Sequence, residues 1–189
     1  MHEKATLGRD HNMAHFSEIR TDNDEVIRTV VINDNDIAPF GEDSPEAEQW
    51  VSENIKRDGW LYENVFDGNY PETYWKRTSY NTKHNQHLNG GTPFRGNGAG
   101  PGAVYDSVND VFWPPKPHAS WVKDNSIFDW VPPIGYPNET QEIDSTTFNI
   151  MFKWNEEDQK WEGETMEIEN GGSNRPVEWD VNTSTWNLV

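Results

Sequence analysis

The 189-residue chain contains no cysteine. That absence excludes a disulfide framework, a thiolate nucleophile and any zinc site built on sulfur. Positive charge is scarce: 15 Lys and Arg face 33 Asp and Glu, for a formal net charge of −18. Such a balance argues against binding nucleic acid through its phosphates and against docking on an anionic membrane surface. No apolar run approaches the ~20 residues of a membrane-spanning helix. The opening MHEKATLGRDHN also lacks the apolar stretch of a secretory signal, so the expectation is a chain soluble as made. Apolar residues make up only 33% of the sequence, too few for a thick helical core.

Aromatic rings and turn formers fill the gap. Ten Trp, 14 Gly and 12 Pro point to thin layers of short strands joined by specified loops. One spacing recurs four times: an aromatic, six residues rich in Asp, Asn, Ser and Thr, and a second aromatic. The copies are Tyr105 to Phe112, Trp121 to Phe128, Trp154 to Trp161 and Trp179 to Trp186. A hairpin with an even-numbered loop sets residues seven apart opposite each other on one face, so each copy is expected to be stapled by a cross-strand aromatic pair. A helix would also return residue i+7 to the same face, but WDVNTSTW and YDSVNDVF are built from poor helix formers.

The fold class expected is mainly β (α+β), with short antiparallel hairpins, one helix near residues 45–58 and a small C-terminal antiparallel unit. HFSEI and VIRTVVI flank the turn-forming Thr21 to Glu25 and read as a first hairpin. Ser44 can cap a helix, Pro45 fits its first position, Glu46 and Glu48 suit its positive end, and Gly59 would stop it. WKRTSYNT reads as a strand and GGTPFRGNGAGPG as an ordered loop. The organisation expected is a flexible arm (1–12), a core domain (13–137) and an acidic β-hairpin unit (138–189). The last 52 residues carry twelve acidic side chains against three basic ones.

Chemistry-bearing motifs are sparse. His84 and His87 form an H-x-x-H with no carboxylate at metal spacing. Gly96 to Gly102 lacks the Lys-Ser/Thr that completes a phosphate loop; it reads instead as backbone needing positive φ or close approach to a neighbouring chain. Arg95, Gly96, Asn97, Gly98 and Gly100 are therefore candidate partner contacts, with Arg95 a candidate anchor to a carboxylate. Asp22, Asp24, Asp34 and Asp36 form two D-N-D triplets without the Gly and distal Glu of a calcium loop, which favours turn chemistry. Trp75, Trp113 and Trp130 fall outside the paired spacing and are the candidates for stacking on a glycan. No catalytic set, metal site or cofactor site emerges.

MAHFSEI, WKRTSYNT, GGTPFRGNGAG, YDSVNDVFWPPKPHASW and the VPP at 131–133 together resemble a group of small proteins of marine and cyanobacterial tailed phages, over residues 14–133. The resemblance implies a virion component and carries over no catalytic residue; the arm and the acidic unit are departures from it. The expectation is a non-enzymatic capsid decoration or cement protein, located in the virion. It would be present in multiple copies or as a homo-oligomer, against the major capsid protein or tail proteins, without nucleic acid or membrane. Two rival expectations are a tail, fibre or baseplate protein with glycan binding, and a nonvirion protein binding a basic host target through its acidic face.

Overall fold

The computed structural model describes residues 13–40, 44–166 and 174–189; the expected arm at 1–12 lies outside them. The fold is mainly β, built of antiparallel sheets with three short helices among the described residues. It divides into two compact units. The first comprises the described residues up to Pro115 with Asn125–Asp129, and the second Lys116–Asp124 with Trp130–Val189.

In the first unit, β1 (Met13–Arg20) and β2 (Val26–Asn33) form the hairpin expected around residues 21–25, with Met13 opposite Asn33 and a register shift between Glu18 and Ile19. The other edge of β1 pairs with β3 (Thr73–Thr78), giving the order β2-β1-β3. Four consecutive residues of β1, Phe16 to Ile19, are buried, as befits a central strand covered on both faces. After α1 (Asp34–Ile37), α2 (Pro45–Asn54) starts where the sequence signals it: the Ser44 hydroxyl accepts from the Ala47 N–H at 3.2 Å and Pro45 holds the first turn. Ala47 and Val51 pack against Ala14, Phe16, Ile32, Ile37 and Trp75. The helix ends earlier than expected because Ile55 turns extended. Gly59 does not stop it but opens α3 (Gly59–Asn64), whose Leu61 N–H is capped by the Asp58 carboxylate at 3.0 Å.

A short hairpin follows, β4 (Thr82–Lys83) and β5 (Gln86–His87), turning through His84 and Asn85, both at positive φ. β6 (Val104–Asp106) and β7 (Val111–Trp113) form the next. Their Tyr105 and Phe112 close a second core with Ile19, Val26 and Ala103. β8 (Val122–Asp124) and β9 (Asp129–Val131) make another two-stranded ladder.

The second unit is a five-stranded meander of β10 (Thr140–Ile143), β11 (Thr146–Asn155), β12 (Lys160–Met166), β13 (Pro176–Asp180) and β14 (Thr185–Leu188), paired in chain order. β10 and β11 join through Asp144 and Ser145, both at positive φ as a two-residue hairpin turn requires. One face buries Phe148, Ile150, Trp154, Trp161, Val177 and Trp186. This unit reaches further back than residue 138. Trp121 and Ile134 pack on the same core, and the Trp161 indole donates to the Gly135 carbonyl at 3.1 Å.

Three of the four aromatic staples form in the expected register. Tyr105 opposes Phe112 at 5.1 Å between ring centroids, Trp154 opposes Trp161 at 5.1 Å, and Trp179 opposes Trp186 at 5.4 Å. The loop residues before the returning strand, Asp110, Gln159 and Ser184, are left-handed at φ 52°, 49° and 55°. The residue after each first aromatic is Asp106, Asn155 or Asp180, and its side-chain oxygen accepts from backbone N–H groups inside the turn. Hydrogen bonding holds the two carboxyls below the usual range, chiefly from the Asn109 side chain for Asp106 and from the Asn182 backbone for Asp180.

Trp121 and Phe128 do not form the fourth pair. The turn there is Asn125 to Phe128, with Phe128 itself in the left-handed position at φ 51°. The positions matching the other staples are therefore 123 and 130, and the Lys123 ammonium lies 5.6 Å from the Trp130 ring centroid. Trp121 instead meets Trp154 and Trp161 at 6.5 and 6.3 Å, while Phe128 packs edge-on to Trp113 at 5.9 Å. Among the described residues no helix is long and apolar enough to cross a membrane.

Candidate contact loop and adjoining groove

The loop expected to reach outward is fastened inside its own unit. Arg95 Nη1 donates to Glu48 Oε1 at 2.6 Å and to the Arg77 carbonyl at 2.8 Å, and Nε lies 2.8 Å from Asp110 Oδ1. Glu48 also accepts from Lys76 Nζ at 2.8 Å and the Arg77 backbone N–H at 3.0 Å, so one carboxylate joins α2, β3 and the loop. Burial works against the Arg95 cation, but Glu48 and Asp110 outweigh it and raise its pKa. The anchoring to a carboxylate is as expected; an exposed contact role for Arg95 is not, since both partners in the Glu48 pair have side chains only 11% exposed.

Gly96 is at φ +72°, and a Cβ there would meet the Phe128 ring at 2.9 Å. Asn97 is buried: its Oδ1 accepts from the His84 N–H at 2.8 Å and its Nδ2 donates to the Phe112 and Phe128 carbonyls at 3.0 and 2.8 Å. A Cβ on Gly98 would lie 2.8 Å from the Ser79 carbonyl oxygen. The close approach read from this glycine run is therefore to residues of the same chain, the Phe128 ring and the Ser79 backbone. Gly98 is exposed and Gly100 half-buried, so of the five candidates these two reach the surface.

The Trp candidates separate sharply. Trp75 is buried in the first core beneath the Arg28 guanidinium, 5.3 Å from its ring. Trp113 is 2% exposed and abuts Phe128. Neither presents a ring face to a sugar, because both supply the apolar volume that an aliphatic-poor chain needs. Trp130 is half-buried, with Lys116 and Lys123 ammonium groups 5.0 and 5.6 Å from its centroid.

The histidines diverge. His84 Nε2 lies 2.7 Å from Asp129 Oδ2, whereas His87 Nδ1 accepts from the Asn89 and Gly91 N–H groups. Among the described residues no three His, Asp or Glu side chains converge as metal ligands. The first D-N-D triplet serves its turn: Asp22 pairs with Arg20, and Asp24 accepts from the Tyr74 hydroxyl at 2.6 Å.

Beside the loop lies an open groove of about 400 Å³, bordered by Gly98 to Gly100, His15, Tyr80, Lys83, Leu88 and Pro114. Tyr80, His15 and Glu48 carry this arrangement and none stood out in the sequence. Glu48 was readable only as a helix-start acid, with no local signal tying it to a residue 47 positions away. No protein-family model, curated protein or solved structure matches the chain.

Three tyrosines around this scaffold donate to carboxylates: Tyr70 to Glu18, Tyr74 to Asp24 and Tyr105 to Asp110. Burial first, and the neighbouring acid second, raises each phenol, Tyr70 to about 12. A folded-state pKa above the unfolded value of 10 means the stabilisation is complete below pH 10 and disappears as pH rises through the folded value. Stability is thus expected to fall between about pH 10 and 12, with tyrosinate absorbance rising together with loss of circular dichroism. Full ionisation of all six tyrosines before any structural change would refute this coupling.

Proposed function

We propose that the chain is a non-enzymatic structural component of a tailed-phage virion, a decoration or cement subunit on the head. The observation that carries the reading is that the phage-like segments fold against one another. MAHFSEI is β1 and WKRTS lies mainly in β3, its direct ladder partner. GGTPFRGNGAG is the loop held by Glu48 on α2, and YDSVNDVFW is the β6 to β7 hairpin whose Phe112 N–H donates to the Arg95 carbonyl. The resembling residues thus build a scaffold rather than a reactive cluster.

The charged groups of that scaffold are occupied with one another. Glu18, 2% exposed, accepts from Arg28, Tyr70 and Thr73. Side chains so committed rigidify a fold and leave its exposed surfaces for contact. Rigid surfaces suit a subunit present in many copies, docked on the major capsid protein, and a net charge of −18 disfavours the packaged nucleic acid as its partner.

Mass spectrometry of purified particles, with labelled antibody and electron microscopy, tests the reading. The expected result is many copies per particle on the head. Absence from particles would reject a virion role in favour of a host target, and label confined to the tail would move the protein to the fibre or baseplate.

A further inference from the structure

We infer that the groove beside the Gly98 to Gly100 loop binds a neutral sugar ring, with Tyr80 as its stacking platform. This site is separate from the tryptophans that the sequence nominates. Its volume, about 400 Å³, falls in the range of small-molecule sites. Tyr80 is 65% exposed, and its ring stands in a T-shaped pair with His15, at 4.8 Å and 61°. A ring paired with one neighbour and otherwise this exposed keeps surface for the C–H face of a pyranose, which gains dispersion and burial there. Leu88, 62% exposed, extends the apolar border.

Polar recognition comes from two side chains whose polar atoms have no internal hydrogen bond. The His15 imidazole and the Lys83 ammonium line the groove and make no hydrogen bond within the described residues, so both remain to meet sugar hydroxyls. The groove's threonines are engaged instead in fixing its floor. Thr78 Oγ1 accepts from the Ala99 N–H at 2.8 Å, and Thr29 Oγ1 donates to the Ala99 carbonyl at 3.0 Å. A floor fixed before binding lowers the ordering cost of a ligand. The net charge of −18 weighs against a phosphorylated or carboxylated ligand.

Gly100 leaves the rim of the groove open. Its φ lies outside the left-handed region and a Cβ there would meet nothing within 4 Å. Neither strain nor packing demands glycine at this position, whereas a side chain would project into open space at the rim of the groove.

Saturation-transfer NMR on the full chain is the test, using maltose, lactose, cellobiose and chitobiose at millimolar concentration, dextran as a polymeric neutral probe, and glucose 6-phosphate and sialyllactose as anionic ones. Transfer to a neutral probe is expected, with dextran separating internal rings from chain ends. Tyr80→Ala should weaken binding about tenfold or more. Gly100→Leu should abolish it with the melting temperature little changed, since a Cβ there meets nothing within 4 Å. Transfer to anionic probes alone, to none, or undiminished in Gly100→Leu would overturn the assignment. Because binding is read on the isolated chain, its failure leaves the virion reading standing, and failure of the virion reading leaves the groove untouched.

Discussion

Glu48→Ala is expected to lower the stability of the first unit by about 3–5 kcal/mol, the range for removing one partner of a buried ion pair. The carboxylate accepts from Arg95, Lys76 and the Arg77 N–H at once. Its loss leaves an Arg95 guanidinium, 11% exposed, with Asp110 as its remaining carboxylate beside the Arg77 carbonyl and the Phe94 and Tyr105 rings. The damage should be local first, with faster amide exchange at Asn85 and Gly98, whose N–H groups donate to the Gly96 and Thr82 carbonyls. Glu48→Gln keeps an acceptor and should cost less. In Glu48→Ala with Arg95→Ala, the orphaned cation is gone, so the double variant should be more stable than the sum of the singles predicts. Urea titration followed by hydrogen exchange reads both effects. A loss below about 1 kcal/mol with unchanged exchange would show that the network adds little to the fold.

How far the sequence was legible depended on the range of the interaction. The β1 to β2 hairpin, the start of α2 and three aromatic staples follow from neighbours in sequence: β-branched runs, Ser44 before Pro45, and turns rich in Asx. The fourth staple was misread because the aromatic spacing is only half of the signal. In the three correct copies Asp106, Asn155 or Asp180 directly follows the first aromatic and caps the turn. In the second copy the corresponding Asp is Asp124, three residues after Trp121, which moves the turn and makes Phe128 its left-handed residue. Asp position, not ring position, fixes the register, because the turn needs its acceptor immediately before the loop.

The contact loop was legible in backbone but not in direction. Glycines at 96 and 98 signalled positive φ and close approach, and both occur. Whether the approaching surface was another chain or the same one depended on Ser79 and Phe128, pairings that composition does not encode. Trp75 and Trp113 were candidates by exclusion from a pattern, and exclusion says nothing about burial. The groove escaped for a related reason: Tyr80, His15 and Gly100 come from three separated segments.

Trp161→Ala should be the most damaging single change in the second unit, also at about 3–5 kcal/mol. The ring is 4% exposed and meets Trp154, Phe152 and Tyr136 at 5.1 to 5.4 Å, and Trp121 at 6.3 Å, while its N–H donates to the Gly135 carbonyl. Truncation opens a cavity that a chain poor in aliphatics has few side chains to fill, and strands of a meander gain little stability without their apolar face. Trp179→Ala should cost clearly less, because Trp179 is half-buried and its ring meets that of Trp186 at 5.4 Å on the border of the core. The two pairs stand at 72° and 63° between ring planes, so each should give an exciton couplet in far-ultraviolet circular dichroism. Trp161→Ala should remove one couplet and lower the melting temperature sharply; Trp179→Ala should remove the other with a smaller shift. Equal shifts would mean that the staples act as interchangeable hairpin clips. The expected inequality instead makes Trp161 the residue on which the sheet closes a single core with Trp121, Ile134 and Tyr136.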